Sequence, residues 1–346
     1  MSENVDTTLA PKRVGRPSGR ISRLFESKQL GWIALAVALL APFITATPYA
    51  LNVMTTAAIF VLLASGLNIV VGYCGLLDLG YIAFMAVGAY TAGIISKAFA
   101  LPLIFTIPAV IVMTVLAGLI IGAPTLRLRS DYLAIVTLGF GEITRITANN
   151  LTITGGPSGI FGIPGLLKIG DFDLQQPVVF YYVTVVVVAG FVLAAARLGK
   201  SRLGRAWRFV REDEDAAEAM GIHTYKVKLM AYIFGAIWGG FGGILFAAHL
   251  SAVSPQSFIF LQSALVLMAV VLGGMGNMRG VVIGALVISL LPELLRDLSA
   301  YRYLAFGLLL VVVMLFRPQG FWPMRAYEPE RVGTVSDRSL AKGTLR

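Results

Sequence analysis

Apolar residues in this chain gather into long runs, not into the alternation of half-buried strands or the one-sided stripe of soluble helices. The first run reads LGWIALAVALLAPFITA. Others follow at about 51–72, 79–96, 102–122, 131–149, 178–196, 228–249, 260–276, 280–296 and 302–316. A helix crosses a hydrocarbon core roughly 30 Å thick with about 20 mainly apolar residues, so the runs predict an all-α polytopic membrane protein of about ten transmembrane helices. Some are expected to be broken or re-entrant, because the second and third runs, and the eighth and ninth, are parted only by very short Gly-rich turns. The first run is long for a signal peptide and is followed by no convincing small-residue cleavage site, so it reads as a retained span.

Polar stretches divide the chain. Residues 1–30 carry Lys12, Arg13, Arg16, Arg20, Arg23 and Lys28 among Pro, Ser and Gly, a composition that cannot bury a core and is expected to be disordered. Residues 31–316 form the membrane domain and 317–346 a second tail. The longest polar interruption inside the membrane domain is 197–227.

Composition agrees: 57% of residues are hydrophobic and 13% charged, with mean hydropathy +0.82, whereas a soluble chain is roughly a quarter charged. A single soluble core is excluded. Cys74 is the one cysteine, so no intramolecular disulfide forms. His223 and His249 show no ligand spacing, and no metal site is expected.

The net charge of +10 suggests nucleic acid until the positions are read. The basic residues flank apolar runs. Threading the runs alternately from a cytosolic N-terminus puts 23 of the 28 Lys and Arg residues on the cytosolic side. Lys97, Lys168, Arg296 and Arg302 then lie outside, and Arg145 lies in a span. This is the positive-inside pattern, and it predicts both termini in the cytosol and no nucleic-acid partner.

AAARLGKS, residues 194–201, loosely matches a phosphate-binding loop. That chemistry needs a strand before the loop and a helix after it. An apolar run of membrane length precedes it here, so the segment reads as the basic end of a span and supplies no nucleotide site. Small residues recur four apart at Gly235, Gly239 and Gly243, at Gly276, Gly280 and Gly284, and at Gly118 and Gly122, a spacing that lets helices approach closely in lipid. VVGYCG (70–75) and VLGGMG (271–276) share V-x-G-x-x-G, either an echo of two related halves or a common use of Gly at tight turns.

Charged residues inside such a domain are costly and mark candidate pathway positions. Glu142 and Arg145 stand three apart in one run, on one helix face, either as pathway groups or as a structural pair. Asp78 sits in the turn between the second and third runs, lining the inner end of a pathway or simply solvated. LTITGGPSGIFGIPG (151–165) offers Gly155 and Gly156 in an external loop, where backbone groups hold a substrate or the chain merely connects.

The polar interruption has a further order. Arg197, Lys200, Arg202, Arg205, Arg208 and Arg211 form a basic half suited to anionic headgroups. An acidic run from Glu212 to Asp215 then opens an Ala-rich stretch ending at Gly221, which predicts a short helix outside the bilayer. Asp215, Ala216, Ala217 and Gly221 resemble the E-A-A-x-x-x-G coupling motif of importer-type ABC permeases, with Asp for Glu. The I-x-L-P that should follow is replaced by Ala231, Tyr232, Ile233 and Phe234.

The wider chain strengthens the resemblance. LNIVVGYCGLLDLGYIAFMAVGAYTA, TLRLRSDYLAIVTLGFGEITRI, LTITGGPSGI, GRAWRFVREDEDAAEAMGI, VLGGMGNMRGVVIGA and LFRPQG, in this order from about 50 to 320, resemble the LivM family of branched-chain amino acid permeases. The resemblance implies a multi-pass permease subunit in a bacterial inner membrane. Its partners would be a LivH-like permease, two ABC ATPase subunits and a periplasmic substrate-binding protein. It also implies no catalytic residues and no cofactor on this chain, ATP being used by the partner subunits. The coupling contact would fall on Arg205, Arg208, Arg211, Glu214, Asp215, Ala216, Ala217 and Gly221. Relatives of the family carry urea, short amides or aromatic acids, so cargo stays open. An ion-coupled transporter using Asp78, Glu142 or Arg145 leaves the coupling-like helix unexplained, and a membrane enzyme lacks catalytic candidates.

Overall fold

The computed structural model describes residues 47–126, 130–169 and 172–294, together with Leu304, Gly307, Leu308, Val311 and Leu315. The first apolar run, both tails, Arg127, Arg129 and most of the tenth run lie outside the described residues.

Thr47 caps the first described helix by accepting the Ala50 amide, and Pro48 fits its first position, where no amide is needed. This helix, α1 (Pro48–Leu67), continues into a π-helical turn, Asn68–Tyr73. A break over 74–81 leads to α2 (Ile82–Phe99), and a 3₁₀ turn, Leu103–Thr106, leads into α3 (Ile107–Thr125). Then come α4 (Ser130–Asn150) and α5 (Pro177–Lys200), followed by the polar pair α6 (Arg202–Glu212) and α7 (Glu214–Ala219). The chain re-enters the bundle as α8 (Thr224–Leu250) and closes with a hairpin of α9 (Phe260–Gly273) and α10 (Met278–Leu294).

Eight of the ten apolar runs thus fall on described helices. Among the described residues, five stretches are long and apolar enough to cross a membrane: Pro48–Tyr73, Ile82–Phe99, Leu103–Thr125, Pro177–Lys200 and Thr224–Leu250. The expectation of about ten transmembrane helices, some broken or re-entrant, is met in part. Asp131, Glu142, Arg145 and several Thr and Asn residues dilute α4. The 14 residues of α9 reach only about 21 Å at 1.5 Å per residue.

The bundle is centred on α8. It packs on α1, α2 and α3 through small residues, the Gly235–Gly239–Gly243 ladder among them. A Cβ placed on Gly239 would lie 2.7 Å from Phe84 Cβ, one on Gly88 2.5 Å from Gly240 Cα, and one on Gly118 3.2 Å from Ala236 Cβ. The same device joins α9 to α10, where a Cβ on Gly273 would lie 2.7 Å from Val281 Cα. The outer faces of α3 and α5 expose Val112, Met113, Leu116, Ile120, Val186 and Leu193, as lipid contact requires. Gly88→Leu is therefore expected to drive backbone against backbone and to cost well over the roughly 1–3 kcal/mol of an ordinary overpacked site. Loss of the monodisperse peak on size-exclusion chromatography in detergent checks this.

The two ends of the bundle differ. One holds α6, α7, the break over 74–81 and the α9–α10 turn. The other holds segments 151–169 and 172–176, where β1 (Ile160–Phe161) pairs antiparallel with β4 (Ala252–Val253), and β2 (Lys168–Ile169) with β3 (Phe172–Asp173). Lys97 ties α2 to this end by donating to the Phe161 carbonyl at 3.2 Å.

Candidate functional site

The polar interruption folds as an annex of two helices broken at Asp213. Ser201 caps α6 by accepting the Gly204 amide at 3.2 Å, and Asp213 caps α7 by accepting the Ala216 amide at 2.9 Å. Gly221, at φ +82°, ends the annex in the left-handed conformation that glycine adopts freely. The short helix expected from the acidic run is α7. AAARLGKS is the end of α5 followed by the cap of α6, so its backbone amides serve helices.

The face of α6 that turns inward carries Gly204, Trp207 and Val210, all buried. Trp207 is fully buried, stacks on Tyr73 with ring centroids 6.5 Å apart, and donates its indole N–H to the Val227 carbonyl at 2.8 Å. The basic residues of α6 make specific contacts within the fold. Arg208 donates to the Gly199 carbonyl at 2.8 Å and Arg205 to the Lys200 carbonyl at 3.2 Å. Both thereby cap the open carbonyls and negative dipole end of α5. Arg211 donates to the Gly72 carbonyl at the end of the π turn. Glu214 pairs with Lys228, a buried residue at the start of α8.

The predicted coupling residues therefore divide. Arg208, Arg211, Glu214 and Ala217 hold the annex to the bundle, and Ala217 is 3% exposed. Arg205, Asp215, Ala216 and Gly221 face outward. With them stand two apolar residues that the charge pattern concealed, Phe209 at 60% and Met220 at 83% exposure. Trp207 was legible in the spacing 204, 207, 210, 211, the stripe of a helix resting on something apolar.

Asp78 is not a solvated turn residue. It is fully buried in the break, where Oδ1 accepts the Gly80 amide at 2.8 Å beside the hydroxyls of Tyr232 and Thr137. Oδ2 has no hydrogen-bond partner among the described residues. Neighbouring elements lock the break: Leu79 N–H donates to Thr137 Oγ1 at 3.0 Å, Tyr81 O–H to the Gly235 carbonyl at 2.9 Å, and Ile82 N–H to Ser263 Oγ at 3.1 Å. Burial raises the Asp78 carboxyl from 3.8 to about 6, against the pull of the Gly80 amide and the two hydroxyls.

A carboxyl raised on folding binds its proton more tightly folded than unfolded. It thus costs nothing below its ordinary value, costs progressively more as pH rises to about 6, and levels off above that. Asp78→Asn is expected to raise stability at pH 7.5 by on the order of 2 kcal/mol. The gain should vanish near pH 4. Thermal melts of the two proteins at both pH values check this, and equal melts at pH 7.5 would refute it.

Cys74, just beyond the π turn, is buried and its thiol is free. Burial pushes it up to about 12, with Lys228 drawing it partly back.

The pair on α4 is formed. Arg145 Nε donates to both carboxylate oxygens of Glu142, at 3.0 and 3.1 Å, and the guanidinium makes a third contact. Both side chains are partly exposed. They share α4 with an open face of Tyr132, Ile135, Ile143 and Ile146. At the other end, a Cβ on Gly155 would lie 2.6 Å from the Gly159 carbonyl carbon, so this glycine makes a tight turn. A Cβ on Gly156, at φ +60°, would have only the Asn149 carbonyl oxygen within 4 Å among the described residues, at 3.7 Å. The annex and the break are thus brought together, the glycine loop lies at the other end of the bundle, and α4 passes the break at Thr137 and Gly141, one residue before Glu142.

Apolar helices packed through glycine, with a polar two-helix annex at one end, define a polytopic helical membrane protein. The family described as branched-chain amino acid transport system, permease component, matches residues 49–316, and the chain belongs to it. It is 42% identical over 298 residues to the high-affinity branched-chain amino acid transport system permease protein LivM of Escherichia coli K12, covering 79% of this chain and 70% of that one. Identity to LivM of Salmonella typhimurium LT2 is 41% over 315 residues, covering 84% and 73%. Identity to LivH of the same Salmonella strain is 23% over 287 residues, covering 78% and 92%. No solved structure gives a significant match.

Proposed function

We infer that this chain is the membrane-spanning permease subunit of an ATP-driven importer carrying branched-chain amino acids across a bacterial inner membrane, with both termini in the cytosol. It would work beside a LivH-like permease, two ATPase subunits that bind and hydrolyse the ATP, and a periplasmic substrate-binding protein. Family membership and the two LivM relatives support the cargo. The observation that carries the mechanism is the annex, which is bolted to the bundle by Trp207, Arg208 and Arg211 yet presents Phe209, Asp215, Ala216 and Met220 outward. A rigid projection with an apolar, small-residue surface suits a protein partner that pushes on it. Substrate released by the binding protein would enter between the two permeases at the end that holds the glycine loop, near Glu142, Arg145, Gly155 and Gly156. Closure of the ATPases would then exchange outward for inward access.

An ion-coupled transporter is the competing mechanism. Its candidate groups are poorly placed for it, since Glu142 and Arg145 neutralise one another and Asp78 is enclosed. Uptake of labelled leucine by cells holding the complete system, with the proton gradient collapsed and ATP maintained, separates the two. Uptake is expected to persist. Collapse of uptake with the gradient would overturn the ATP-driven reading. Retained uptake of urea, short amides or aromatic acids in place of leucine would overturn the cargo alone.

A further inference from the structure

We propose that the π-helical turn Asn68–Tyr73 is the joint through which the annex moves the membrane bundle, with Arg211 as the positioning residue that links the two. The proposal rests on the reading of α6 and α7 as the ATPase contact. A π turn is rare and is found frequently at functional sites. This one ends a 20-residue α-helix and runs straight into the break that carries Asp78.

Its carbonyls are shared between two elements. Leu76 N–H donates to the Val70 carbonyl at 3.1 Å and Gly75 N–H to the Val71 carbonyl at 3.2 Å. The next carbonyl, that of Gly72, takes the guanidinium of Arg211 instead, 139 residues along the chain. Trp207 stacks on Tyr73 beside it, nearly parallel at 5°. A Cβ on Gly75 would lie 2.7 Å from Arg211 Cγ, and one on Gly199 2.6 Å from Tyr73 Cζ, so annex, α5 and π turn meet without slack.

Another contact of the same turn reaches the second V-x-G-x-x-G segment. Asn68 Oδ1 accepts the Gly276 amide at 2.8 Å, and a Cβ on Gly72 would lie 2.6 Å from that nitrogen. Displacement of α6 is therefore transmitted to α9 and α10 through one turn of helix. Asn68 is fully buried, and its Nδ2 has no partner among the described residues. A buried donor without a partner is costly, which suits an amide that gains its partner in a second arrangement. Conversion of the π turn to α would release one residue into the break, turning the adjoining segment by about 100° with a rise of about 1.5 Å.

The chain's single cysteine reports on this joint, since Cys74 directly follows the turn and is 2% exposed. N-ethylmaleimide labelling of the assembled transporter, read as the mass of this chain, is to be compared without nucleotide and after trapping with ATP and vanadate. The labelling rate is expected to differ between the two states by about tenfold. Arg211→Ala is expected to co-purify with the ATPase subunits and hydrolyse ATP, but to label at one rate in both states and to move about tenfold less substrate per ATP. Arg211→Lys should recover part of that ratio. Equal labelling of the parent protein in the two states, or parental transport per ATP in Arg211→Ala, would overturn the joint. Should Arg211→Ala fail to assemble, Asn68→Ala carries the same expectations, and the parent labelling decides without any variant. If the parent chain co-purifies with no ATPase, the underlying reading fails first, and visibly so.

Discussion

Trp207→Ala is expected to detach the annex from the bundle. The side chain is fully buried, stacks on Tyr73, meets Phe234 edge-on at 6.1 Å, and donates to the Val227 carbonyl at 2.8 Å. Truncating a buried tryptophan costs about 3–5 kcal/mol, from lost transfer energy and from the cavity left behind. Here the loss falls on two short helices of 11 and 6 residues, too short to persist in water without packing. The exposed Arg202 and Arg205 should become rapid trypsin sites in membranes, and transport should be abolished. Trp207→Phe keeps most of the stack and loses only the indole donor, so it should fall between the two. Protection of Arg202 and Arg205 in Trp207→Ala equal to that of the parent would show that the capping arginines alone hold the annex.

How much of this was legible in the sequence depends on the range of the interaction. Run lengths gave the helices, because crossing an apolar slab imposes length and composition locally. The small-residue ladders gave the packing, because close approach of backbones requires glycine wherever it happens. The capping of α7 by Asp213 and its stop at Gly221 were equally local. The features that stayed hidden are long-range. Arg211 read as a headgroup ligand, yet it caps a helix that ended 139 residues earlier, and nothing in its neighbourhood announces that. The echo of VVGYCG and VLGGMG was visible only as spacing; that Asn68, two residues before the first segment, accepts from Gly276 at the end of the second is a fact of folding. Asp78 read as a turn carboxylate, either lining a pathway or open to solvent, and the packing of Thr137, Tyr232 and Ser263 around its turn encloses it. A turn residue's burial depends on distant helices that its own sequence does not name.

Two adjacent alanines of α7 should respond in opposite ways to the same substitution. The motif resemblance treats Ala216 and Ala217 alike, as small residues that let a helix seat in an ATPase cleft. They face opposite ways: Ala216 is exposed, whereas Ala217 is 3% exposed and lies against the bundle. Ala217→Arg would force a guanidinium into a buried site where Glu214 is already engaged by Lys228. The charge would be uncompensated and the annex would be displaced, so trypsin protection and transport should fall together, an outcome that says nothing about the partner. Ala216→Arg adds the same charge to the outward face. It should leave melting temperature and trypsin protection at parental values while stimulation of ATP hydrolysis by loaded binding protein drops about tenfold or more. Met220→Arg, at the most exposed apolar position of the annex, should behave the same way. If both outward variants are stimulated normally, α7 is not the coupling contact, and the ATPase must grip the chain elsewhere.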